Sequence, residues 1–207
     1  TDNAQPWLAA RVLPVMSYQI ATEPLPPGML DRLIPHRRMV TDSRKELTYT
    51  RPSPDGTRLL FGCRPRVRDM APEKLAPALH ARMRRIFPDL ADIRITHAWG
   101  GFVGMTGDRM PHVAERDGVL HAVGCNGNGV ALMTWMGWHA AQLMLGRSNR
   151  RSFFAEIPFD PLPLAGLKPL MVPAGSAAYH LRDFTANPAE VIAERLGRTA
   201  PSNNRGD

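Results

Sequence analysis

Apolar and polar positions alternate with a period of two in stretches ahead of Pro72, and a helical spacing begins there. In "RVLPVMSYQIATEPL", Met16, Tyr18 and Ile20 fall on one face and Ser17, Gln19 and Ala21 on the other, as in a half-buried strand, and Pro24, Pro26 and Pro27 stop it. "KELTYTRP" puts Leu47, Tyr49 and Arg51 on one face, and "GTRLLFGC" follows the turn signal "SPDG"; together they predict a hairpin. "APEKLAPALHARMRRIF" opens with Pro72 and Glu73 in its first turn, repeats Leu75, Leu79, Met83 and Phe87 at helical spacing, and is ended by Pro88. Strands are expected at "DIRITHAW", "HVAER" and "GVLHAVG". The run from Gly129 to Leu145 is 17 residues long and carries Thr134, His139 and Gln142, so it falls short of a membrane span and predicts a buried core helix. "SFFAEIPF" follows, then a short helix "PAEVIAERL" and a frayed tail. This order predicts an α+β fold, a mixed and largely antiparallel sheet with two main helices. Residues 1–186 are expected to form one domain, with 187–207 as a short helix and tail.

Composition narrows the function classes. A chain of 207 residues with 43% hydrophobic positions can bury a core. The net charge of +7 raises nucleic acid and anionic membranes as partners. The basic residues are scattered, however, as Arg37–Arg38, Arg64, Arg66, Arg68, Arg82, Arg84, Arg85, Arg147, Arg150 and Arg151, with no aromatic-interleaved motif; they predict a solvated face, and nucleic acid is not expected. Two cysteines, Cys63 and Cys125, stand far apart without CxxC spacing, which fits a reduced, cytoplasmic setting. The first residues lack the layout of a signal peptide. The seven histidines form no HxxxH or HxH pattern, so no metal is expected, and His97 and His121, on strands, are expected to be buried and hydrogen-bonded.

Candidate chemistry centres on "HAVGCNGNGVALMTW", where a strand runs through Gly124, Gly127 and Gly129 into the apolar helix. A helix N-terminus carries unpaired N–H groups and partial positive charge and attracts anionic ligands. The spacing here is GxxGxG, not GxGxxG, and no acidic residue lies between Gly118 and Asn149, so the turn is a poor dinucleotide site. Two readings stay open at this point: a ligand turn of another kind, or a plain tight turn.

Between Trp99 and Pro111 the chain reads "WGGFVGMTGDRMP", and the Gly-rich turn follows. The pair resembles the C-terminal half of the FAD-dependent oxidoreductases of the D-amino-acid oxidase, glycine oxidase and sarcosine oxidase superfamily. The gamma-glutamylputrescine oxidoreductase branch is most similar, through "SYQIATEPL", "YTRPSPDGTRLLFGC", "RRIFPDLADIRITHAWGG", "GCNGNGV" and "YHLRD". The resemblance implies FAD as cofactor, with Gly100, Gly101, Gly124, Cys125, Asn126, Gly127, Asn128, Gly129 and Val130 against the flavin ring and the helix N-terminus aimed at its N1–C2=O side. It implies glycine in the turn because a Cβ would hold the backbone off a flat ring. No N-terminal GxGxxG fold is present, so the chain resembles one cut inside its own dinucleotide-binding domain. The missing N-terminal FAD-binding half is then the expected partner, and FAD binds only in the intact protein.

The resemblance also bears on substrate. The glycine-oxidase type has an Arg four residues after the motif Trp, here Val103; the sarcosine-oxidase type has a Lys two residues after the last turn glycine, here Ala131. Both carboxylate clamps are absent, which favours a small amine over a free α-amino acid, with Arg51 able to supply a substitute charge. The position of the flavin-tethering Cys is Gly101, so the cofactor is expected to be non-covalent. Cys125 is expected to pack and not to act as a nucleophile. Tyr49, Arg51, Trp99, Phe102 and Asn128 are the substrate-pocket candidates, although Asn128 equally suits a plain turn and large aromatics on strands commonly serve the core. The expected function is oxidation of a C–N bond by hydride transfer to flavin, inactive without the ADP-binding half. The competing expectation is a non-catalytic orphan module of the same fold that binds an acidic partner.

Overall fold

The computed structural model describes residues 5–44, 46–63, 70–148, 152–163 and 165–186. The elements run α1 (Pro6–Ala9), β1 (Leu13–Thr22), α2 (Met29–Leu33), β2 (Val40–Thr41), β3 (Thr48–Pro52), β4 (Leu59–Cys63), α3 (Pro72–Ile86), β5 (Ile95–Met105), β6 (His112–Arg116), β7 (Val119–Val123), α4 (Gly129–Met144), α5 (Phe153–Glu156) and α6 (Lys168–Ala186). Five strands form one sheet in the order β2-β3-β4-β1-β5, and β6 and β7 form a second. The pairs β1–β4, β2–β3, β3–β4 and β6–β7 are antiparallel, as the α+β reading expects. The helix expected from Pro188 onward lies outside the described residues. The chain divides into two compact units, one of residues 1–16 and 102–170, the other of residues 17–101 and 171–207.

In the second unit most of the core lies on one face of the five-stranded sheet, with Ala21, Leu60 and Gly62 buried on the other. Tyr18, Ile20 and Thr22 of β1 and Leu59, Phe61 and Cys63 of β4 are all buried, because alternate residues of paired strands share a face and the register sets Tyr18 opposite Cys63 and Ile20 opposite Phe61. Helix α3 covers β4 with the buried side chains Leu75, Leu79 and Met83. Full burial of each such side chain stabilises by about 1.5–3 kcal/mol. The β3–β4 hairpin closes where expected, with Ser53 and Arg58 joined through backbone and Gly56 in the left-handed region at φ 71°.

In the first unit β6 and β7 meet at Asp117 and Gly118, both left-handed at φ 53° and 75°. A two-residue Asp-Gly loop of this kind matches the twist of an antiparallel pair. The hairpin face bearing His112 and His121 carries a chain of rings. His112 stacks on Phe159 at 4.3 Å, Phe159 meets Trp7 edge-on at 5.5 Å, and Trp7 lies 5.7 Å from His121. The Arg11 guanidinium sits 4.5 Å over Trp7 and donates to the carbonyls of Phe159 and Trp7.

Helix α4 departs from the expected core helix. Among its residues only Met136 and His139 are buried, while Val130, Trp138 and Met144 are 92%, 60% and 75% exposed. The apolar character is real, but the described residues of this chain cover one narrow stripe of it. His97 also departs from expectation, being exposed on β5 with Nδ1 2.8 Å from the Thr96 hydroxyl, while His121 is half-buried beside Trp7.

Candidate functional site

The Gly-rich turn belongs to the first unit and is built by three left-handed residues, Gly124 at φ 80°, Asn126 at 48° and Gly127 at 98°. A Cβ on Gly124 would stand 2.6 Å from Thr106 Cγ2 and 3.1 Å from the Met110 carbonyl; on Gly129 it would stand 3.2 Å from Cys125 Cβ. Gly124 is therefore required by its own φ and by contacts within the chain itself, before any ligand is considered, whereas a Cβ at Gly129 asks Cys125 to give by only a few tenths of an ångström. Cys125 is half-buried beneath Gly129 and its Sγ lies 3.9 Å from the Gly104 carbonyl, a packing position.

Asn126 ties this turn to the "TGDRMP" loop. Its side-chain Oδ1 accepts from the Thr106 amide at 3.1 Å, and its Nδ2 donates to the Gly124 carbonyl at 2.7 Å and to the Thr106 hydroxyl at 3.1 Å. Its own amide donates to the Gly104 carbonyl at 3.0 Å. The Thr106 hydroxyl in turn donates to the Met110 carbonyl at 2.7 Å. Asparagine suits the position twice over, tolerating φ above zero and supplying both a donor and an acceptor.

This arrangement sets the entry of α4. Asn128 is its N-cap residue, no side chain caps the helix, and its first turn holds no acid. The first amides of a helix have no partner within it and carry the positive end of its dipole. Open N–H groups behind a tight turn fit the electron-rich N1–C2=O edge of a flavin, so the chemistry of the donor set agrees with FAD at this place.

The motif loop contains a pair that the sequence reading did not single out. His112 is buried, its Nε2 lies 3.2 Å from Asp108 Oδ1, and Asp108 also accepts from the Met110 amide at 3.0 Å. Burial pushes Asp108 up, yet its carboxyl titrates below the usual 3.8 because the Met110 amide and the His112 and Thr106 side chains hydrogen-bond the charged form. A carboxylate with a lowered folded pKa stabilises the fold above its unfolded pKa and loses that contribution as pH falls through the folded one. Asp108→Asn should thus melt below the wild type at neutral pH, with the two melting temperatures converging as pH drops below the usual carboxylate range. A gap that persists unchanged in acid would refute this charge-based role.

The substrate candidates divide between the units. In the second, Tyr49 lies across Gly62, where an added Cβ would collide with its ring, and its hydroxyl is hydrogen-bonded to Ser17 and reaches the Tyr18 carbonyl at 3.3 Å. Arg51 is exposed two residues further along β3. Trp99, Gly100 and Gly101 are exposed on β5, and a Cβ on Gly101 would meet nothing within 4 Å. In the first unit, Phe102 is 57% exposed and Asn128 starts α4. Trp99 and Phe102 are therefore surface aromatics and not core residues. Two cavities lie elsewhere. One of about 580 Å³ in the first unit is lined by Val113, Leu120, Leu143, Met144, Ile157 and Phe159, and one of about 390 Å³ in the second lies between α3 and β5 beside His80 and His97.

The family described as DAO, FAD dependent oxidoreductase, matches residues 2–143. This chain belongs to that family. The DAO-family chain is 36% identical over 162 residues to the probable oxidoreductase OrdL of Rhizobium meliloti, covering 78% of itself and 37% of that protein. It is 32% identical over 186 residues to gamma-glutamylputrescine oxidoreductase of Escherichia coli, covering 88% of itself and 43% of that protein. It thus spans about two-fifths of the length of these relatives. Its fold is like that of glycine oxidase from Geobacillus kaustophilus, at a TM-score of 0.53 and 21% identity, over 74% of this chain and 40% of the other. Iminodiacetate oxidase from Chelativorans gives 0.53 and 18%, over 73% and 40%. Among the described residues of the DAO-family chain, no helix is long and apolar enough to cross a membrane.

Proposed function

We propose that this chain is the substrate-facing and flavin-ring-facing portion of an FAD-dependent amine oxidoreductase, acting on an amine of the gamma-glutamylputrescine kind. The observation that carries the reading is the N-terminus of α4, left without a side-chain cap or an acid in its first turn. When bound, FAD supplies the hydride acceptor for the carbon of the C–N bond. Within the chain, the turn from Gly124 to Val130 orients the ring edge through fixed N–H dipoles, Asn126 holds that turn against the motif loop, and Cys125 fills the space beneath it. Non-covalent binding is consistent with glycine at position 101. The substrate-pocket candidates of this reading are Tyr49, Arg51 and Trp99 in the second unit and Phe102 and Asn128 in the first, and the amine is positioned more than it is activated.

The partner in this reading is the FAD-binding half that the relatives carry in the rest of their length. The bare apolar side of α4, with Val130, Trp138, Met144 and Leu145 exposed, is the surface on which that half packs. Such a large uncovered patch is costly in water and expected where a second body completes the fold.

Flavin titration of the purified 207-residue chain tests the reading. The sequence carries no GxGxxG motif for the ADP end of the cofactor, so in this reading the protein should be colourless and bind added FAD weakly, through the turn before α4. A yellow preparation carrying stoichiometric flavin would overturn the division of labour between the two halves.

A further inference from the structure

Of the seven asparagines in the chain, two precede glycine, Asn126 before Gly127 and Asn128 before Gly129, in tandem within the turn ahead of α4. The others precede Ala4, Arg150, Pro188, Asn204 and Arg205. A glycine that follows asparagine leaves its amide nitrogen unshielded by any Cβ, so that nitrogen can close on the asparagine side-chain carbon. Asparagine is among the thermally labile residues. The sequence makes the two pairs alike, and the fold of the first unit makes them opposites.

Asn126 is fixed by side chain and backbone together. Its Oδ1 accepts from the Thr106 amide at 3.1 Å, its Nδ2 donates to the Gly124 carbonyl at 2.7 Å and to the Thr106 hydroxyl at 3.1 Å, and its amide donates to the Gly104 carbonyl. Bringing its Cγ to the Gly127 nitrogen breaks those side-chain bonds and moves a residue held at φ 48°. Asn128 is exposed, and its side chain caps nothing and enters no hydrogen bond among the described residues. The nitrogen it must reach, that of Gly129, is the first of α4 and has no acceptor within the helix. When Asn128 turns about its Cα–C bond, the backbone bond that must give is the one from the Leu132 amide to the Asn128 carbonyl, and at 3.4 Å it is longer than the usual range. Val130 beside it is 92% exposed, so the first turn of α4 opens there without uncovering core.

We propose that Asn128 is a site of spontaneous deamidation in the folded chain, and that the Thr106 clamp protects Asn126 from the same reaction. The Gly129 nitrogen gives its proton to hydroxide and attacks Asn128 Cγ; the Cγ–Nδ2 bond breaks, and Nδ2 takes a proton from water and leaves as ammonia. Water then opens the five-membered imide at one of its two carbonyls, leaving aspartate or isoaspartate. One water is consumed in all, one ammonia is released and no electrons are exchanged. The reaction stands apart from the amine chemistry proposed above and bears on it in one way. A carboxylate at the N-cap occupies the positive end of α4, the place given above to the electron-rich edge of the ring.

The test is timed peptide mass spectrometry of the 207-residue chain kept folded at mildly alkaline pH, with the same chain in concentrated urea beside it. The gain of one mass unit should appear first at Asn128, and at Asn126 about tenfold more slowly, in keeping with the side-chain bonds that must open there. In urea the two rates should draw level, since only the fold separates them. Thr106→Val removes the hydroxyl partner and should speed Asn126 with Asn128 unchanged. Gly129→Ala should slow Asn128 alone, because its new Cβ shields the attacking nitrogen while Cys125 gives by a few tenths of an ångström. Equal rates in the folded chain, a faster Asn126, no gain at Asn128 while the urea sample is converted, or a preference for Asn128 that persists in urea would each overturn the proposal. The urea comparison uses the unaltered sequence and so decides the matter even where a variant fails to fold.

Discussion

Replacing Gly124 by alanine is expected to destabilise the chain by about 2–4 kcal/mol, while Gly101→Ala changes stability by less than about 0.5 kcal/mol. Two costs add at Gly124. Its φ of 80° lies in the left-handed region, which costs an L-residue roughly 1–2 kcal/mol. The new Cβ also falls 2.6 Å from Thr106 Cγ2 and 3.1 Å from the Met110 carbonyl, and overpacking of that kind costs about 1–3 kcal/mol. Thr106 cannot swing aside cheaply, because its hydroxyl donates to the Met110 carbonyl and accepts from Asn126. Gly101 has an ordinary backbone angle and open space around it, so its substitution isolates the effect of adding a methyl group alone. Urea unfolding of the two variants, at equal m-values, measures the contrast. Near-identical midpoints would mean that the turn relaxes freely and that its glycines are not needed for packing.

The second large effect concerns substrate. In protein with its FAD-binding half present, an amine or gamma-glutamyl amine is expected to reduce the flavin faster than glycine, sarcosine or D-alanine by roughly one to two decades. A charge-assisted hydrogen bond to a carboxylate is worth about 1.5–3 kcal/mol, and a carboxylate brought next to Val103 and Ala131 would be desolvated without it. An unpaired buried carboxylate is penalised further, so the preference is expected in both binding and rate. Anaerobic stopped-flow reduction across the series measures it. Comparable rates for the simple amino acids would refute the amine reading, whichever residues line the pocket.

Much of the architecture was legible before any coordinates. Pairs of polar and apolar positions marked β1 because strand side chains alternate, "SPDG" marked the β3–β4 turn because its residues favour tight and left-handed backbone, and Pro72 marked the start of α3 because proline needs no N–H donor there. The turn before α4 was also legible as a ligand candidate, since three glycines ahead of an apolar helix with no nearby acid form a local pattern. These are short-range signals, decided by a few neighbouring residues and their intrinsic preferences.

What the sequence alone determined about this protein is therefore most of its strands, helices α3 and α4, their order and the family motif, whereas α1, α2, β2 and the third long helix, α6 (Lys168–Ala186), were not read from it. Tertiary structure decided the rest, because it depends on residues far apart in the chain. The Asn126–Thr106 clamp joins positions twenty residues apart, so the need for Gly124 comes from Thr106 and Met110 and could not be read from the GxxGxG spacing. The pairing of Asp108 with buried His112 required β6 to fold against Phe159. Helix α4 looked like core because its composition is apolar, but composition reports only what a surface prefers to touch; which surface covers it is set by the other elements, and here they bury Met136 and His139, half-bury Leu132, Met133, Ala140 and Leu143, and leave Val130, Trp138 and Met144 exposed. Arg51 was already a pocket candidate in the sequence, but its surroundings were not legible there. They follow from the register that sets Leu60 and Ala21 beside it, since strand pairing, unlike strand formation, is decided by partners drawn from distant parts of the chain.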